Sequence, residues 1–140
     1  MMKKGLLAIL LLILALGISA QNKKQFDPAK FDAELEQFIT TEACLSPQES
    51  SAFFPLYREM RKKQKVLFDQ SRRLRHTDLS NDKACEDAIR NQDALDIEIK
   101  ELQQKYHNKF MKILPASKVL KLIRAEDKFH RQYFKRMAKH

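Results

Sequence analysis

The side chains that could do chemistry are four histidines, two cysteines, scattered hydroxyls and carboxylates, and a dense set of Lys and Arg. The histidines stand at His76, His107, His130 and His140. None has a second His one turn away, the i,i+4 spacing that would hold zinc on one helix face. The closest helical partner is Glu126 for His130, and that pair reads as a hydrogen bond or ion pair. No metal site and no cofactor are expected.

Nucleophilic catalysis needs a Ser or Cys held against a base and an oxyanion pocket. Nothing in the order of Ser, His and Asp residues supplies that arrangement. Both glycines of the 140-residue chain, Gly5 and Gly17, fall in an N-terminal apolar stretch. Past Gly17 no position lacks a Cβ, so phosphate-cradling loops, dinucleotide fingerprints and nucleophile elbows are excluded. Primed hairpin turns also want positive φ, which disfavours a β-meander. A binding protein is expected, not an enzyme. The carboxylates of Asp87, Asp93, Asp96, Glu98 and Glu101 interleave with basic residues and read as a salt-bridged helix surface.

The charge balance is 27 Lys plus Arg against 18 Asp plus Glu, a formal net charge of +9. Arg58, Arg61, Lys62, Lys63, Lys65, Arg72, Arg73 and Arg75 crowd one segment. Phosphate backbones favour such stripes, but a secreted protein meets little nucleic acid, and none is expected as a partner. The plain reading is a solvated helix face. The sharper one is a basic rim that attracts acidic segments of unfolded proteins, with apolar contacts following. Anionic lipid or an acidic sensor domain would satisfy the same charge.

Four elements must position these residues. Lys3 and Lys4, the apolar run Leu6 to Leu16, and Ile18-Ser19-Ala20 form a secretory signal, with cleavage expected before Gln21. The run is well short of the roughly 20 apolar residues a membrane span needs. Residues 21–140 then make one domain, expected in the periplasm, opening on a polar arm. Asp27-Pro28 starts a short helix with Phe31, Leu35 and Phe38 on one face, ending near Glu42.

The strongest start signal is Leu45-Ser46-Pro47-Gln48-Glu49, where Ser46 caps, Pro47 takes the first helical position and Glu49 completes a capping box. The helix that follows carries Phe53, Tyr57, Met60, Gln64, Leu67, Ser71 and Leu74 at threes and fours. Pro55 inside it predicts a kink or a delayed start. A turn over 76–81 leads to a third helix with the seam Cys85, Ala88, Gln92, Leu95, Ile99, Leu102, Tyr106 and Ile113. The two long helices form an antiparallel hairpin. Leu114-Pro115 ends the third helix. A last helix, 116–138, buries Val119, Leu122, Ile123, Tyr133, Phe134 and Met137 and carries the basic stripe Lys121, Arg124, Lys128, Arg131 and Lys135. The fold class is therefore all-α.

An oxidising compartment raises the question of a disulfide between Cys44 and Cys85. The hairpin register puts them roughly 40 Å apart at 1.5 Å per residue, too far to bridge. Cys85 on the seam reads as a small buried hydrophobe.

Secretion signal, short helix, Leu-Ser-x-x-Glu start, long hairpin and basic last helix together resemble the Spy/CpxP (LTxxQ) family of periplasmic proteins. Leu45, Ser46 and Glu49 match its first motif in type, with Ser for Thr and Glu for Gln. Phe53-Phe54-Pro55-Leu56-Tyr57 is similar to the aromatic-Pro stretch of a helix-rich branch. Of the second motif, at residues 114–118, only Leu114 survives, while Arg124-Ala125-Glu126 and Phe129 look like that branch's closing helix. The resemblance implies a curved antiparallel homodimer acting as an ATP-independent chaperone for partly unfolded envelope proteins. It also implies an alternative, an envelope-stress or metal-responsive regulator binding a sensor kinase or anti-sigma factor. The residues expected to meet a client are Phe53, Phe54, Leu56, Tyr57 and Met60, rimmed by Arg58, Arg61, Lys62 and Lys65. For any single aromatic among them, a core role is the simpler expectation.

Overall fold

Asp27 opens the first helix as the sequence predicts: its Oδ1 accepts the backbone N–H groups of Ala29 and Lys30 at 3.1 and 3.3 Å. The computed structural model describes residues 26–139, among which there are four helices and no strand. They are α1 (Pro28–Glu42), α2 (Pro47–Leu74), α3 (Asp82–Ile113) and α4 (Ala116–Ala138). The secretory signal expected at 1–20 and the arm that follows lie outside the described residues. The chain divides into two compact units, Met1–Glu34 and Leu35–His140. In the described part of the first, the Phe26 and Phe31 rings sit 5.6 Å apart.

Within the second unit, α1 ends in a tight reversal. The Leu45 N–H reaches back to the Thr40 carbonyl at 3.0 Å and the Cys44 N–H to Thr41 at 3.3 Å. Cys44 adopts φ 52°, the left-handed conformation that usually selects glycine. α2 then starts at Pro47 with both halves of the capping box in place. Its start is not delayed, and Pro55 lies inside one continuous helix. Asn81 caps α3 by accepting the Ala84 N–H at 3.0 Å. The extended Leu114, ahead of Pro115, separates α3 from α4.

The core sits at one end of the α2–α3 hairpin. Phe53, Tyr57, Tyr106 and Phe110 are fully enclosed, as are Leu35 and Ile39 of α1, and Val119, Leu122, Ala125 and Phe129 of α4 close it. Ring contacts tie the layer together: Phe53 meets Phe110 at 4.8 Å and Phe38 meets Phe129 at 5.5 Å. Two expectations are corrected. Ile113, expected on the α3 seam, is exposed beside the helix break, and Phe110 takes the buried position one turn earlier. On α4 the last buried side chain is Phe129: Ile123 and Tyr133 are half-buried, while Phe134 and Met137, on the outer turns, face solvent.

Candidate binding surface

The residues expected to meet a client separate into two sets. Phe53, Phe54, Tyr57 and Met60 are all in the core. Seam positions at threes and fours turn inward once α3 and α4 pack on them. Leu56 is half-buried. The motif residues Leu45, Ser46 and Glu49 hold the α2 start and not a ligand: Leu45 is buried, and Ser46 and Glu49 bond each other's backbone N–H groups at 2.9 and 3.1 Å.

The basic residues also divide. Arg58 is committed to a two-pronged bond with the Glu36 carboxylate at 2.6 and 2.9 Å, which raises its already high pKa. Arg61 lies over the Tyr57 ring at 5.8 Å from its centre. Lys62 stays exposed, and Lys65 pairs with Asp69 at 3.1 Å in an open i,i+4 bridge. Such bridges are worth little and exchange easily.

The buried polar contacts are structural. The Tyr57 hydroxyl donates to the Glu126 carboxylate, joining α2 to α4. Burial, reinforced by the Glu126 charge, pushes the Tyr57 phenol far above its ordinary value, so it remains a donor. His130, the residue weighed for metal, has its Nδ1 2.8 Å from the Glu126 backbone oxygen. Burial holds His107 below the usual imidazole value. Among the described residues no cluster of three His, Cys, Asp or Glu is placed to hold a metal ion. Cys44 and Cys85 are free thiols, Cys85 half-buried on the seam and 3.5 Å from the Asp78 carbonyl.

What the sequence reasoning missed is the far half of the hairpin. Leu67 and Leu95 are its last buried side chains, and no residue from 68 to 94 is buried. Its seam is sparsely apolar: Ser71 donates to Gln92 at 2.8 Å, and the seam residues Leu74, Ala88 and Cys85 are only half-buried. The outward faces nonetheless carry large apolar groups. Phe68 is 46 % exposed, Ile89 63 % and Ile97 61 %. Phe68 lies one turn from both Lys65 and Arg72, so an aromatic ring is set in a basic row. Along the hairpin side, an open groove of about 450 Å³ is lined by Val66, Leu67 and Leu102 between Lys63, Lys105, Glu98 and Glu101. The available signal was the broken seam itself: a hairpin whose interior positions turn to Gln64, Ser71 and Gln92 cannot bury much.

Among the described residues no helix is long and apolar enough to cross a membrane. No family model matches this chain, and neither a curated protein nor a solved structure matches it.

Proposed function

We propose that this chain is a secreted, ATP-independent chaperone-like protein of the Spy/CpxP type. It holds partly unfolded envelope proteins on the open half of its hairpin and works as a homodimer. The observation that carries the reading is the exposure of Phe68, Ile89 and Ile97 on a two-helix arm that buries nothing of its own between residues 68 and 94. Exposed apolar groups on a folded chain mark interaction surfaces. Here they are scattered rather than joined into one smooth patch, and Lys65, Arg72 and Lys63 stand among them. Such a surface favours weak, reversible contact with chains that offer both acidic and apolar segments. Several weak contacts along the arm sum to useful affinity without any single deep pocket.

The deciding experiment is suppression of aggregation. The chain from Gln21 onward, at amounts near equimolar with a denatured acidic client, should delay light scattering without ATP. The triple variant Phe68→Ser/Ile89→Ser/Ile97→Ser should lose most of that effect while keeping the helical circular dichroism of the parent. An inactive parent that instead binds the isolated periplasmic domain of a sensor kinase would move the assignment to a signalling regulator. Sedimentation equilibrium of the same preparation tests the homodimer.

A further inference from the structure

The outer turns of α4 carry a second surface, apart from the hairpin arm. The apolar face of α4 is continuous: Val119, Leu122, Ala125 and Phe129 are buried, and the same arc runs on through Tyr133 to Phe134 and Met137. Those last two side chains remain 62 % and 51 % exposed. Phe134 stacks on the His130 ring at 6.3 Å and meets Tyr133 edge-on at 5.9 Å, so the ridge is ordered along the helix.

The rest of the helix surface is predominantly basic. α4 carries Lys118, Lys121, Arg124, Lys128, Arg131, Lys135 and Arg136 against only Glu126 and Asp127. Beyond Asp127 no carboxylate occurs up to Lys139, itself a further cation. Glu126 is engaged by Tyr57. Lys128 has a carboxylate partner in Glu42, at 3.1 Å, whereas Lys135 and Arg136 lie beyond the last buried turn.

We infer that the segment from Lys128 to Lys139 docks on an anionic lipid surface, with Phe134 and Met137 inserted at the headgroup boundary. A helix with aromatic and aliphatic groups on one face and Lys or Arg on the other lies in that boundary and favours anionic headgroups. Arg136 lies over the Tyr133 ring at 5.9 Å and Lys135 turns further from the ridge, yet a helix is only about 10 Å wide. That keeps them about one Debye length from the headgroup charges. A single convex ridge also suits a plane better than it suits a peptide, which would need a groove.

The chain contains no tryptophan, so Phe134→Trp places a lone reporter on the ridge of the full-length protein. Vesicles of phosphatidylcholine with 30–40 % phosphatidylglycerol (about that range gives a clearly negative surface) should shift its emission to the blue. Pure phosphatidylcholine should do so far less. Adding Lys135→Gln/Arg136→Gln should weaken the anionic-vesicle titration by about fivefold per charge removed, and salt should weaken it further. The variant Met137→Ser, read through the same tryptophan, should also bind more weakly. Equal shifts with neutral and anionic vesicles, or no shift with either, would overturn the inference. So would a larger shift with polyglutamate than with anionic vesicles, which would assign the ridge to acidic proteins. The same titration with the chain from Gln21 onward removes any apolar contribution of Leu6 to Leu16 from both arms.

Discussion

Lys118 Nζ lies 2.6 Å from Glu49 Oε1, the same oxygen that accepts the Ser46 backbone N–H at 2.9 Å. One carboxylate thus closes the capping box of α2 and ties it to the first turn of α4. The Lys118 ammonium also donates to the Cys44 carbonyl at 3.1 Å, drawing in the end of α1 as well. Ser46→Ala removes the side-chain acceptor for the Glu49 N–H and should destabilise the fold by about 1 kcal/mol, read from chemical denaturation.

The same carboxylate sets an acid limb. The Lys118 ammonium, and next the Ser46 backbone N–H, hold the Glu49 carboxyl below its ordinary value of 4.5. A depressed carboxylate contributes stability that is present above its unfolded value and lost as pH falls through its folded value. Glu49→Gln should therefore be less stable than the parent at pH 7, and the gap should close as pH falls below 4.5. A gap that stays constant on acidification would place the loss elsewhere.

Tyr57 sets an alkaline limb of opposite sign. Its phenol is pushed well above the usual value of 10.0 by burial and by Glu126. A raised phenol contributes stability that is full below about pH 10 and falls as pH rises beyond it. Ultraviolet titration of the folded protein should show Tyr57 ionising only as the chain unfolds. Tyr57→Phe leaves the part-buried Glu126 carboxylate without its donor and should cost about 1–3 kcal/mol. It should also flatten the loss of stability above pH 10.

Much of this was legible in the sequence, and the gaps have physical causes. The Ser46-Pro47-Glu49 start, the turn over 76–81 and the Leu114-Pro115 break are local backbone chemistry, and the helix bounds follow from them. Burial is a tertiary quantity, so periodicity alone put Phe134 and Met137 in the core although both side chains face solvent. Likewise it marked Phe53 and Tyr57 as apolar without saying which face would be covered. Phe68 escaped notice because it falls off the seam, where a lone aromatic among cations carries no periodic signal. The left-handed Cys44 was equally invisible, since the usual signature of such a position is the glycine this chain does not use.

That conformation supports a direct test. A non-glycine residue at positive φ costs roughly 1–2 kcal/mol, part of which glycine returns in chain entropy. Cys44→Gly should therefore stabilise the protein by about 0.5–1 kcal/mol. Cys44→Val, β-branched at the same φ of 52°, should destabilise it. Paired thermal melts read both. Equal melting temperatures for the two variants would mean that the α1 reversal relaxes at no cost.

The separation of core from surface gives the final prediction, because it assigns opposite consequences to two phenylalanines on one helix. Phe53 is fully enclosed and touches the Phe110 ring, so Phe53→Ala should cost about 3–5 kcal/mol. Phe68 is 46 % exposed, so Phe68→Ala should leave stability within about 0.5 kcal/mol of the parent. If the open arm holds clients, Phe68→Ala should raise the off-rate for an unfolded client. Reversing Lys62, Lys65 and Arg73 to Glu should instead slow association, since rim charges act on encounter more than on residence. All three are exposed, and charges on such a face are screened beyond about 8 Å at physiological ionic strength. Salt should therefore erase the difference in on-rate between parent and triple reversal. It should leave the effect of Phe68 intact, because apolar contact is not weakened by salt in that way. Stopped-flow binding at two salt concentrations separates the two contributions. A triple reversal that folds normally and captures an acidic client as fast as the parent would leave the basic row a solvated helix face.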